Sequence, residues 1–153
     1  MKPSKLIFTK KLYLLLTGIV VLASACKKDK QNQRSLFGNW NETQQMQNYA
    51  RTLNFGIDST FSMSLYSTGI TASTIVLSGK YRIKGDSLLV TITQRSTKTG
   101  NEPAVIEPAN DKLYDKATYT VSDNLLLLKY TTYPADGPVA TQANFSKLSS
   151  GSN

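Results

Sequence analysis

The sequence predicts an all-β domain of about eight short antiparallel strands behind a signal peptide. Three observations carry this. Past residue 35, segments rich in Thr, Val, Ile, Tyr and Phe are separated by Gly, Pro, Asn, Asp and Ser, at the roughly 8–12-residue spacing of sandwiches and closed barrels. Several segments alternate apolar and polar residues, which sends one row inward and the next outward. No amphipathic helix stands out beyond the N-terminal apolar run, and any helix between Glu42 and Arg51 is brief.

Residues 1–25 have the three parts of a secretory signal. Lys2, Lys5, Lys10 and Lys11 form a basic start, residues 12–22 are mostly apolar, and Ala23-Ser24-Ala25 precede Cys26. Spanning a bilayer takes about 20 apolar residues, so a removable signal is expected rather than a transmembrane anchor. Leu22-Ala23-Ser24-Ala25-Cys26 resembles the lipobox of bacterial lipoproteins. It departs from that pattern in one place: Ala23 stands where Leu is usual, with Leu22 one position further back. The resemblance implies cleavage before Cys26, a diacylglyceryl thioether on its sulfur and acylation of its amine. Two or more chains anchor stably where one does not. Lipidation also explains a lone Cys in an exported chain. The alternative is ordinary secretion with a free thiol. No cofactor is expected beyond this covalent lipid.

Lys27-Lys28-Asp29-Lys30 is similar to the start of many lipoproteins of the Bacteroidetes. That implies an outer-membrane lipoprotein, on either the periplasmic or the cell-surface face. Residues 26–35 then form the lipidated Cys and a spacer without apolar residues, which reads as flexible. Its length extended is at most about 30 Å.

The chain has 153 residues and a formal charge of +8. Four lysines leave with the signal, and the spacer carries three of the remaining charges, so the domain from Leu36 onward is nearly neutral. Nucleic acid is therefore not an expected partner, since phosphate binding needs a concentrated basic face. With one Cys in the chain no internal disulfide can form, and stability must come from one packed core.

The domain opens over residues 37–46 with Trp40, the single Trp. Residues 49–55 lead to a turn at 56–59. Phe61, Met63 and Leu65 then alternate with Ser62, Ser64 and Tyr66. Residues 70–77 and 80–83 read as strands divided at Gly79, a bulge or bend. Gly85-Asp86 is a Gly-X hairpin signal, followed by a strand over 87–94 with Leu88, Val90 and Ile92 on one face. Gly100, Pro103 and Pro108 mark 98–110 as a long loop. Residues 113–121 and 125–133 form a hairpin about the turn 122–124. Leu125 to Leu128 are four consecutive leucines, so that strand is read as covered on both sides or bordering a pocket. A turn at 134–138 precedes a last strand over 139–148, and 149–153 is a frayed tail.

Gly38-Asn39-Trp40, at the start of the first strand, resembles the Gly-x-Trp opening of the lipocalin and wider calycin group. The segments Gly79 to Leu88 and Tyr119 to Leu125 look like the short lipocalin-like domains of Bacteroidetes lipoproteins. The likeness covers residues 36–148. It implies a small antiparallel up-and-down β-barrel, closed by Gly38, which permits the bend, and Trp40, which plugs the end. Lipocalins often cover this Trp with a basic side chain from the last strand. Lys147 is the candidate here, although a solvated Lys147 is the favoured expectation.

Eight strands close a barrel that holds either one small ligand or side chains alone. The expected function is binding of a small apolar molecule in a hollow barrel, whose pocket the inward positions Phe55, Phe61, Met63, Leu65, Tyr81, Ile83, Leu88, Val90, Tyr119, Leu127 and Phe145 would line. Otherwise they are core. The domain would then serve as a structural or protein-interaction lipoprotein with an envelope protein as its partner.

No catalytic residues are expected. The chain lacks His, the commonest general base and metal ligand. The acids Glu102, Glu107, Asp111 and Asp115 lack the spacing of a calcium loop, so no metal site is expected. Asp58-Ser59-Thr60 and Asp86-Ser87-Leu88 look like Bacteroidetes O-glycosylation acceptors, but Ser and Asp are also what turns prefer.

Overall fold

The computed structural model describes residues 35–148, apart from Met46 and Ile70. The expected signal peptide, Cys26, most of the expected spacer and the expected tail at 149–153 lie outside the described residues.

Nine strands follow one another: β1 (Gly38–Glu42), β2 (Tyr49–Phe55), β3 (Thr60–Ser67), β4 (Ser73–Lys84), β5 (Ser87–Thr99), β6 (Val105–Leu113), β7 (Asp115–Ser122), β8 (Leu125–Thr132) and β9 (Val139–Lys147). The order β4-β3-β2-β1-β9-β8-β7-β5, with β4 also paired to β5, closes an eight-stranded antiparallel up-and-down barrel. β6 is a ninth strand on the free edge of β5.

The turns at 56–59, 85–86 and 123–124 share one end of the barrel with the start of β1. The described chain enters the barrel there, and this end is called the tether end after the spacer expected from the sequence. Local chemistry sets each turn. The Asp58 carboxylate accepts from the Thr60 amide at 3.2 Å and the Thr60 hydroxyl at 2.5 Å, an Asx-turn that holds its pKa below the usual value. Gly85 adopts φ +62°, which a two-residue hairpin favours.

Gly79 sits at a register shift within one continuous strand, where two separate strands were expected. At the shift the two strands come so close that a Cβ on Gly79 would stand 1.9 Å from Thr91 O. Only glycine lets the two backbones approach this closely.

The expected loop over 98–110 is instead the end of β5, a turn at Gly100 and most of β6. The loop signals misled for a physical reason. Proline cannot donate a ladder hydrogen bond, but an edge strand tolerates it, and β6 pairs only with β5. Leu113 ends β6 rather than beginning the next strand. The chain then kinks at Tyr114, whose φ is +59°, and Lys116 follows at +49°.

Within β8 the alternation is strict. Leu126 and Leu128 are buried, while Leu125 is 59% exposed. The four leucines are therefore not covered on both sides. Leu127 lies on the opposite face from Leu126 and Leu128, which corrects its expected inward placement: interior residues on β8 fall at even positions.

Candidate functional site

The barrel interior was the expected pocket, and its residues do converge. Phe55, Phe61, Met63, Tyr81, Leu88, Val90, Tyr119 and Phe145 all belong to one buried cluster, with Leu65 and Ile83 packed against it. The cluster is closely packed around Phe55. Phe61 and Tyr81 meet Phe55 edge-on at centroid distances of 5.2 and 5.1 Å. The Tyr81 hydroxyl donates to Gly56 O at 2.9 Å. Phe55, Val90 and Phe145 are 0% exposed, so none borders a space that a water molecule could enter.

Trp40 plugs the tether end. It is fully buried, and its indole N–H donates to Leu36 O at 2.8 Å. Lys147 is its cross-strand partner, with the ammonium 5.2 Å from the ring centroid. The expectation of a solvated Lys147 is thus overturned: antiparallel register puts it over the ring, and Gly38 leaves it room. A Cβ on Gly38 would stand 3.0 Å from Lys147 Cε.

At the other end, an ion pair lies among the inward side chains. Arg51 donates through Nε to Glu42 Oε2 at 3.0 Å, and its Nη2 pairs with Glu42 Oε1. The guanidinium lies 5.4 Å from the Phe145 centroid. Burial works against its charge, yet the bond to Glu42 and the neighbouring Tyr114 and Tyr130 outweigh this and raise its pKa. Beside it, Tyr114 stacks edge-on with Tyr130 at 4.8 Å and donates to Met63 Sδ at 3.3 Å. Neither charged residue was anticipated. The signal was available, because Glu42 shares the parity of Trp40 and Arg51 that of Leu53, both buried.

A recess opens in the barrel wall, with a volume of about 510 Å³. Between the pairs Val90↔Leu113 and Ser87↔Thr118, the β6–β7 side carries two more residues than β5. The excess is absorbed at Tyr114 and Lys116, both at positive φ. The ladder parts there, and the gap is lined by Ile83, Leu88, Leu89 and Leu113. Leu89 is 46% exposed. Arg82, Lys84, Lys112 and Lys116 also line the recess, with Asp115 the single acid. The Asp115 carboxylate accepts from the Tyr133 hydroxyl at 2.6 Å, which raises the tyrosine's pKa. Sequence reasoning missed this groove because it depends on where β7 departs from β5.

Among the described residues, no three His, Cys, Asp or Glu side chains gather as a metal site would require. Comparison of the chain with protein-family models, curated proteins and solved structures gave no match.

Proposed function

We propose that the chain is a lipocalin-like lipoprotein of a bacterial outer membrane, tethered through a lipidated Cys26, whose filled barrel works through its outer surface. It has no catalytic role in this reading, and its partners are the membrane and an envelope component bound from outside. The observation that carries the surface role is the packed interior: Phe55, Val90 and Phe145 border no water-sized space. A carrier that holds its ligand within the barrel needs a cavity of about 300 Å³ or more.

Native mass spectrometry of the domain, expressed without its lipid in its own host's envelope, tests the filled barrel. No extra mass beyond what the outer groove can hold is expected. A reproducible extra mass that survives substitution of the outer groove and is lost on enlarging interior residues would establish a carrier instead. The anchor is tested separately by Cys26→Ser, which should release the protein from membranes. A variant that stays bound after a carbonate wash would rule out the lipid tether.

A further inference from the structure

We infer that the groove between β5 and the β6–β7 kink is a binding site for a single-chain amphiphile with an anionic head. The inference deepens the surface reading above and does not require the lipid anchor.

Three independent features of the groove point to this chemistry. First, its size and floor suit an acyl chain. At about 510 Å³ it falls in the range of small-molecule sites, roughly 300–1,000 Å³. Ile83, Leu89 and Leu113 offer the chain an apolar wall, and the floor reaches buried Leu88.

Second, the charge around it is concentrated. The domain from Leu36 onward holds ten basic and nine acidic residues. Four of those ten, Arg82, Lys84, Lys112 and Lys116, line this one groove, against Asp115 alone. Among the described residues none of the four forms an ion pair, and all four are exposed. Asp115 is already engaged by Tyr133. An apolar floor rimmed by unpaired cations complements a ligand that is apolar along its length and negative at one end.

Third, the opening is held by strained backbone. Tyr114 and Lys116 occupy positive φ, unfavourable for residues with large side chains. Such strain persists only where the surrounding structure enforces it, and it gathers at binding sites. Tyr114 is held there by Tyr130 on the neighbouring β8 and by Met63 from across the barrel. Regular pairing of β7 with β5 would close the wall beside Leu89, which the gap leaves exposed.

The location agrees with a lipid-like ligand. Lys84 and Ser87 flank the 85–86 turn at the tether end, the end that faces the bilayer if Cys26 is anchored.

The test is photo-cross-linking of the full chain, purified from its host's envelope, with hexadecanoate carrying a mid-chain diazirine. The expected result is saturable labelling mapped by peptide sequencing to residues 82–89 and 112–117. Unlabelled hexadecanoate should compete, and hexadecanol should not. Lys112→Glu and Arg82→Glu, both on exposed side chains, should each weaken labelling about fivefold. Labelling that is absent, unsaturable or equally competed by hexadecanol overturns the groove assignment and leaves the filled barrel standing. Labelling of Phe55, Phe61 or Phe145 overturns the groove assignment and the filled barrel together.

Discussion

Lys147 lies directly across the ladder from Trp40 and holds its ammonium 5.2 Å from the ring centroid. The pair joins the first strand of the barrel to the last. Trp40 supplies the buried surface and Lys147 shields its outer face, while Gly38 makes room for the lysine stem. Trp40→Ala should cost about 3–5 kcal/mol as a core deletion. Lys147→Gln should cost only about 0.5–1 kcal/mol, the size of an exposed cation–π contact. Urea unfolding separates the two. A Trp40→Ala loss near zero would mean that this end of the barrel is closed by something other than the indole.

The fold was legible where residues act locally. Alternation in β3 and β5 and the Gly85-Asp86 turn could be read from short windows, since a strand's period and a turn's dihedral needs are properties of a few residues. The nature of β6 was not legible. Pro108 argues against a strand unless the neighbour on each side is known, and the edge position of β6 is a fact of topology. The groove fails the same way. Its four cations come from β4, β6 and β7 and look scattered along the chain, although the barrel gathers them.

Gly79→Ala tests the bulge. The added methyl would fall 1.9 Å from Thr91 O and 2.9 Å from Ile92 Cα. Both are backbone atoms, so relief requires β4 and β5 to separate. The substitution should destabilise by about 2–4 kcal/mol, among the larger single-residue effects. Gly137→Ala is the control, because a Cβ there meets nothing within 4 Å and only its positive φ is at issue. Equal losses at the two glycines would show that steric closeness at the bulge is not what matters.

The Arg51–Glu42 pair makes a prediction about non-additivity. Both side chains are mostly covered, at 17% and 13% exposure. Removing one partner leaves the other's charge desolvated and unmatched, whereas removing both leaves an apolar end. Arg51→Met and Glu42→Met should each cost about 2–3 kcal/mol. The double variant should cost less than either single one. A double loss equal to the sum of the singles would show that the two groups do not interact energetically.

Tyr114 ties stability to alkaline pH. Burial holds its phenol well above the usual tyrosine range, although nearby Arg51 pulls the other way. The folded state therefore keeps a proton that the unfolded chain loses near pH 10. The contribution is fully present below the unfolded value and is lost as pH rises from there through the folded one. Its slope is about 1.4 kcal/mol per pH unit. Tyr133 adds to the same trend through its bond to Asp115, so a comparison is needed to isolate Tyr114. Tyr114→Phe keeps the ring against Tyr130 and removes only the hydroxyl and its contact with Met63. Urea midpoints for both proteins between about pH 8 and 11 should converge as pH rises, because only the wild type carries the buried phenol. Parallel curves would show that the Tyr114 hydroxyl ionises as easily in the barrel as in water.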